Sequence, residues 1–433
     1  MADKFDCIVV GAGPAGCAAA ITMARAGLNV VIVERGDYPG AKNVMGGIMY
    51  RQPTEEIVPN FSADAPVERG IVKQGLWMLA EDSAVTFMYQ GGSWSKPPYN
   101  AYSVLRAKFD PWFAQQAEEA GAFLITETTV TDLIWEGGRV VGVQTSRDQG
   151  DLYADVVILA EGVNNLITQK NRLGEDLKMN EAALAVKEVI ALRKGVIEDR
   201  FNLEDGEGVA YEALGAATRG MFGMGWLYTN KDSVSIGVGI AVSHLVQSGL
   251  NPNEVLESFK SHPAVKPLLE GGETKEYSAK LIPEGGIKSM PQVYTDGLLI
   301  VGDAARLVNA VHREGSNLAL MSGKMAAETV IEAKELDDFS ARVLKGYHDR
   351  LKASFILQDL AKYENFTDFF EQNTQFFTLY PELLNRAAEE FGIVDGTPKK
   401  EKQAKILQMI REKRPFWRIL SDMVRLSRAL GVP

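Results

Sequence analysis

The first residues able to do chemistry are three glycines, Gly11, Gly13 and Gly16, in the run Gly11-Ala-Gly-Pro-Ala-Gly16. Between a strand and a helix, the first permits a tight turn and the second lets backbone approach a pyrophosphate. The third lets helix and strand pack closely. Pro14 and Ala15 lie within the same turn. The following helix would offer unbonded N–H groups and a positive dipole end to phosphate oxygens. Glu34 stands eighteen residues past Gly16, close to the spacing of about 20 at which an acid meets ribose hydroxyls. The arrangement reads as a dinucleotide site; the plainer alternative is a glycine turn in an unrelated α/β fold.

A second group of residues narrows the dinucleotide. Gly302-Asp303 and Gly315-Ser316-Asn317 follow more than 250 residues downstream. An extended FAD needs a carboxylate near its ribityl chain and helix-end N–H groups near the flavin O2/N1 edge. Asp303 suits the first role, and the backbone at Ser316 and Asn317 suits the second. Negative charge on a reduced flavin is favoured at such a helix end. For Asp303 the alternative is a turn acid or N-cap. No second glycine motif fits a nicotinamide cofactor, because Val242 stands where Gly237-Val-Gly239 would need its third glycine. The expected cofactor is FAD, reduced by another protein rather than by bound NADH.

These residues need elements to hold them. Phe5–Val10 reads as a buried strand, Cys17–Ala26 as a helix stopped by Gly27, and Leu28–Val33 as a second strand. Asp110–Ala120 reads as a helix with Asp110 at its N-cap and Pro111 at its first position. Short strands at Val130–Ile134, Val140–Thr145 and Leu152–Leu159 are separated by Gly137-Gly138 and Asp148-Gln-Gly150. Alternating segments such as Ala183–Ile190 and Val234–Val242 suggest an antiparallel sheet. Gly297–Val301 reads as a strand, about Asn317 to Ala333 as a helix, and everything past Phe339 as helical, with a hinge at Asp395–Pro398.

Composition removes several classes. Two cysteines, Cys7 and Cys17, and four histidines in 433 residues leave little for an iron–sulfur cluster or structural zinc, and no disulfide framework. Both cysteines read as small core residues, and no metal site is expected. The net charge is −11, which argues against nucleic acid as a partner. The charge is uneven: Lys399–Pro433 holds ten Lys/Arg against three Asp/Glu. No secretory signal is evident. The uncharged run Cys7–Ala24 is broken by Gly11, Gly13, Pro14 and Gly16, so it is not read as a membrane span.

The motifs resemble the two-motif FAD family related to aromatic hydroxylases and, more closely, the electron-transfer-flavoprotein:quinone oxidoreductases of the FixC branch. The resemblance rests on Pro39-Gly-Ala-Lys-Asn-Val-Met-Gly-Gly47, Leu105-Arg-Ala-Lys-Phe-Asp110, Leu281-Ile-Pro-Glu-Gly-Gly286 and Gly302-Asp-Ala-Ala305. It implies that Gly46 and Gly47 pass beside the flavin and that Arg106 contacts FAD from the helical side. Ala160-Glu161-Gly162 matches a segment where relatives often carry Ala-Asp-Gly. Arg35 and Val130 complete the expected cofactor set. Arg313 would steady a reduced flavin or polarise a quinone carbonyl, and His312 would supply a proton; salt bridges fixing that loop are the alternative for each.

The implied fold is α/β: a Rossmann-type FAD-binding domain with an inserted antiparallel β-sheet domain and a helical C-terminal region. The expected FAD segments are residues 1–75, 105–175 and 296–338. The expected substrate/quinone sheet segments are 76–104 and 176–295, and 339–433 form the helical region with its basic amphipathic tail. The resemblance implies transfer of electrons from a two-subunit electron-transferring flavoprotein to a membrane quinone, with menaquinone the expected kind, as the high-potential branch of a bifurcating complex. Longer members carry a ferredoxin-like domain. A chain without those cysteines is expected to use a separate small ferredoxin-like iron–sulfur protein, peripherally on the cytoplasmic face of the cell membrane. One rival is a geranylgeranyl-reductase-type enzyme, suggested by Gly225-Trp226-Leu-Tyr228. A scaffold with vestigial FAD is another.

Two features stay open at this level. Phe366, Phe369, Phe370, Phe377 and Tyr380 keep helical spacing, as either a core stripe or a quinone channel. After Pro415, Phe416, Leu420, Met423 and Leu430 share one helix face opposite Arg418, Asp422 and Arg425. That face suits an anionic membrane or an acidic protein.

Overall fold

The fold comes from a computed structural model that describes residues 4–42 and 47–432. The chain divides into two compact units. One comprises Met1–Gly70, Pro97–Ala182 and Lys280–Ala361; the other comprises Ile71–Lys96, Ala183–Ala279 and Lys362–Pro433.

The first unit is built on a mainly parallel sheet. Its strand order is Tyr294–Thr295, Leu298–Ile300, Leu152–Leu159, Phe5–Val10, Val30–Val33 and Phe123–Ile125. The central Phe5–Val10 pairs in parallel with Leu152–Leu159 on one side and Val30–Val33 on the other. Both faces are covered, so these strands are near-continuous apolar runs rather than alternating ones. The hairpin Val130–Glu136/Arg139–Thr145 turns at Gly137-Gly138, both at positive φ, as a two-residue hairpin loop requires.

The helix expected at Asp110–Ala120 begins earlier, at Arg106, and runs to Glu119 with Pro111 inside it. Asp110 does not cap it. Its carboxylate takes both Nε and Nη2 of Arg106, at 2.6 and 2.7 Å, one turn back. That pair stabilises the extra turn, and Phe109 and Phe113 anchor it in the core. Fully burying such a phenyl ring contributes about 2–3 kcal/mol, comparable to the cost of an interior proline.

The second unit carries an antiparallel sheet in the order Ala182–Ala191, Ser233–Ala241, Gly223–Thr229, Glu207–Gly215. The helix Pro252–Ser261 covers it: Asn251 caps the helix through the Asn253 N–H, and Val255, Leu256 and Phe259 are buried. The phenylalanine stripe is core. Phe370, Phe376 and Phe377 are buried with Phe222, and Phe366, Phe369 and Tyr380 pack against them.

Past Lys362 the described chain is helical. The Asp395–Pro398 loop is tied down rather than open: the Asp395 carboxylate accepts the Thr397 N–H and pairs with buried Lys402 at 3.1 Å. The terminal helix Phe416–Ala429 departs from its expected polarity. Asp422 belongs to its inward side, held by Arg414 and the Tyr380 hydroxyl. No helix among the described residues is long and apolar enough to cross a membrane.

Candidate functional site

Gly11 sits at φ +104, and a Cβ there would lie 2.5 Å from the Ala160 carbonyl oxygen. A Cβ on Gly16 would lie 2.0 Å from the Gly11 oxygen. Both close approaches demand glycine. Gly13 differs, since a Cβ there would meet nothing within 4 Å. The helix Pro14–Arg25 starts at this open position with Pro14 in its first turn and no side-chain cap. Its first-turn N–H groups at Ala15 and Gly16 therefore face a space that suits a phosphate.

Glu34 ends the second strand with its carboxylate oriented across the turn. One oxygen accepts the Ala12 N–H at 2.9 Å and the other the Gly36 N–H at 2.7 Å. Each keeps a lone pair able to accept a ribose hydroxyl. Arg35 beside it is exposed, whereas Val130 is buried in the core of its unit.

The second motif is brought onto the first. A Cβ on Gly302 would stand 3.0 Å from the Ala15 Cβ, and one on Gly323 would stand 2.1 Å from the Ala15 oxygen. The helix Ser316–Glu335 thus lies directly against the opening helix, with Gly302–Ala305 beside it as a short 3-10 turn. Asp303 is half-buried. Its charge acts on Arg106 and Lys280.

The helix Ser316–Glu335 also lacks a side-chain cap. Asn317, buried at its start, donates through Nδ2 to Glu314 Oε2 at 3.2 Å, while its Oδ1 has no partner. A buried acceptor without a donor, two uncapped helix ends, an open cradle at Gly13 and a half-buried carboxylate suit an extended dinucleotide with a flavin ring.

Other expected residues are placed differently. Arg106 is buried, with its guanidinium held bidentately by Asp110, so it is positioned as a fixed cation. The Glu161 side chain caps the short helix Leu166–Lys170: it accepts the Ile167 and Thr168 N–H groups and the Thr168 hydroxyl. That leaves the backbone of Ala160 and Gly162 to line the turn. Gly47 is buried, and Gly46 lies outside the described residues.

His312 and Arg313 occupy the exposed end of a loop closed by a bridge between Asn309 and Glu314. The Asn309 carbonyl oxygen Oδ1 accepts the Val311 and His312 N–H groups, and Arg313 donates to the Val311 oxygen at 2.8 Å.

Two titratable residues escape motif reading. Burial pulls the Lys280 ammonium below its usual range, with Asp303 opposing and Arg106 adding to the effect. Burial pushes the Glu284 carboxyl up to about 7 despite the nearby Arg313. Glu284 belongs to the Leu281–Gly286 motif, but its burial has no local sequence signal. The two cysteines are buried free thiols, both pushed far above their ordinary range by burial. That keeps them protonated and suits simple packing.

Residues 366–431 match the ETF-QO/FixC family C-terminal domain, and residues 6–163 match the FAD dependent oxidoreductase family. Protein FixC of Azorhizobium caulinodans is 48% identical over 430 residues, covering 99% of each chain. Protein FixC of Escherichia coli strain K12 is 42% identical over 408 residues, covering 94% of each. Among solved structures, a geranylgeranyl bacteriochlorophyll reductase-like protein of Thermoplasma acidophilum aligns with TM-score 0.73 at 22% identity. The alignment covers 96% of this chain and 97% of that one. At that identity the likeness is one of fold.

Proposed function

The chain belongs to the ETF-QO/FixC family of FAD-dependent oxidoreductases, and on that premise we propose that it takes electrons from an electron-transferring flavoprotein and passes them to a membrane quinone. FAD, when bound, accepts or releases one or two electrons, which suits an exchange between a protein donor and a two-electron acceptor. The observation that carries the reading is the contact of Gly302 and Gly323 with Ala15. It gathers both cofactor motifs on one frame.

In this reading Gly13 and the Ala15 and Gly16 N–H groups hold the pyrophosphate, Glu34 the ribose and Asp303 the ribityl chain. The Ser316–Asn317 helix end favours negative charge at the flavin. Arg106 supplies a fixed positive charge, Lys280 extends the charged group around Asp303, and Gly47 lines the flavin edge. Reducing a quinone to quinol consumes two electrons and two protons. Glu284, whose carboxyl holds its proton to about pH 7, and exposed His312 are the groups to supply protons, with Arg313 to polarise a quinone carbonyl. The upstream flavoprotein has two subunits and, as a bifurcating donor, would send its high-potential electrons along this branch. A small ferredoxin-like protein and menaquinone complete the proposed assembly on the cytoplasmic face of the membrane.

A second reading, reduction of isoprenoid double bonds, has one observation in its favour, the fold it shares with the Thermoplasma protein. Anaerobic stopped-flow absorbance separates the two. Reduction of the bound flavin by electron-transferring flavoprotein and reoxidation by a short-chain quinone is the expected result. Reoxidation by a polyprenyl lipid alone would overturn the quinone reading.

A further inference from the structure

A cavity of about 430 Å³ lies at the far end of the opening helix Pro14–Arg25, with Arg25, the last residue of that helix, on its wall. The helix has 12 residues, so about 18 Å separate the cavity from the phosphate turn at Gly13. The cofactor site leaves it unused. Its volume is within the range of ligand sites, roughly 300–1,000 Å³. A second wall comes from the helix Arg106–Glu119, which contributes Trp112, Gln115, Gln116 and Glu119. Asp64, the last residue of the short helix Phe61–Asp64, supplies a further carboxylate.

The polar groups on these walls are mainly acceptors. Gln115 and Gln116 each donate an amide N–H to a different oxygen of Glu119, at 2.9 and 3.0 Å. That holds the carboxylate in place, keeps a lone pair on each of its oxygens and leaves both amide Oε1 atoms able to accept. Trp112 is half-buried, with its ring against Phe113 at 6.2 Å and Phe109 at 5.5 Å. Its indole is thus braced by the core and offers an electron-rich face. Among the described residues of the wall, Arg25 is the one cation. Its guanidinium donates to the Ile57 carbonyl oxygen. Two carboxylates against one guanidinium leave the wall at −1. Glu119 also ends its helix, where the dipole is negative, and that last turn carries no basic residue.

A ligand suited to these walls brings positive charge, several donors and a flat face. A guanidinium has all three: its planar fork of N–H groups matches a carboxylate and stacks on an aromatic ring. An ammonium brings the charge without the plane, and an anion would meet both acids. We propose that the cavity receives an arginine side chain of a partner protein, its guanidinium on the Trp112 ring and paired with Glu119, with Asp64 adding charge. Exposure favours a protein source over a free guanidine. Small-ligand sites bury roughly 70–90% of the ligand, whereas Arg25, Asp64, Gln115 and Glu119 are all exposed and are open to a side chain projecting from another surface. The inference goes beyond the electron-transfer reading: the arginine anchors a partner on the cofactor-binding unit without touching FAD.

The test is a ligand-observed NMR titration of the FAD-loaded full chain with a capped glycine–arginine–glycine tripeptide. Its lysine counterpart and methylguanidine, each with the same single charge, are the comparisons. The arginine peptide is expected to bind with a Kd on the order of 1 mM, roughly fivefold tighter than the lysine peptide and at least as tightly as methylguanidine. Glu119→Gln and Asp64→Asn should each weaken it, the first by roughly fivefold, with flavin content and melting temperature unchanged. Trp112→Leu should remove the preference for arginine over lysine. Absence of saturable binding up to about 10 mM would overturn the proposal, as would equal binding of the lysine peptide or unchanged binding by Glu119→Gln. Methylguanidine binding tighter than the peptide would give the cavity to a small molecule and overturn the protein source. No electron acceptor takes part in the titration, so a wrong quinone reading leaves its result untouched.

Discussion

The opening helix Pro14–Arg25 and the terminal helix Phe416–Ala429 are similar in length and opposite in their use of apolar surface. In the first, ten of 12 residues are buried, including Ile21 and Met23. It lies against the parallel sheet and the helix Ser316–Glu335, with alanines and glycines allowing near-contact of backbones. In the second, two of 14 are buried, and one of those is an aspartate. Burial around the first helix fixes its first-turn backbone N–H groups beside the open position at Gly13, where a small displacement would ruin the geometry. The second is oriented by its Asp422 anchor, packs Leu426 against the phenylalanine cluster and leaves Phe416, Trp417 and Leu420 exposed. A cofactor site needs rigidity supplied by packing on many sides, and the terminal helix has only one packed side.

The contrast is broken most severely by Gly16→Val. A side chain would have to fit where a Cβ already meets the Gly11 oxygen at 2.0 Å. The expected cost is at or beyond about 3 kcal/mol, seen as loss of flavin-containing folded protein in purification and thermal melts. Asp303→Ala comes next. It should weaken FAD retention roughly 10- to 100-fold, as removal of a charged hydrogen-bonding partner does, while circular dichroism stays the same. Flavin occupancy equal to that of the parent would remove Asp303 from the site.

At the other end of the chain, Asp422→Ala sharpens the comparison. It should release the terminal helix at a cost of about 1–3 kcal/mol, raising hydrogen exchange in 416–429 and leaving flavin content intact. Loss of flavin in this variant would mean that the two regions are not independent. Glu161→Ala removes the side chain that caps Leu166–Lys170 and should cost about 1 kcal/mol, read as a small fall in melting temperature without loss of activity.

The last expectation is a slope. In the folded protein Glu284 keeps its proton to about pH 7, whereas in the unfolded chain it releases it near the ordinary 4.5. Between those values the folded state binds more protons, so this residue's contribution to stability falls as pH rises. Glu284→Gln should flatten that part of the melting-temperature profile. A profile parallel to the parent's would show that the carboxyl is not buried in solution.

Much of the cofactor frame was legible in local sequence, and the physical reason is specific. Strand–turn–helix geometry at a phosphate depends on glycines at fixed spacing, so Gly11, Gly13, Gly16 and Glu34 mark the turn within a single βαβ unit. The core role of the phenylalanine stripe was less clear, because helical spacing alone does not say what lies on the other side; Phe222, more than 140 residues earlier, supplies that side. The start of the helix at Arg106 is hidden for a related reason. Asp110 and Pro111 resemble a helix start, but the Arg106–Asp110 ion pair carries the helix through them.

What the sequence alone determined is the chemistry of the parts: a dinucleotide turn, a second acid and helix end far downstream, and a basic amphipathic tail. Only the tertiary structure decided where these parts meet and which way they face. The contact of Gly302 and Gly323 with Ala15, the desolvated settings of Asp303 and Glu284, and the inward turn of Asp422 all depend on partners distant in the chain. Burial and long-range ion pairs are properties of the packed whole, so no window of neighbouring residues contains them.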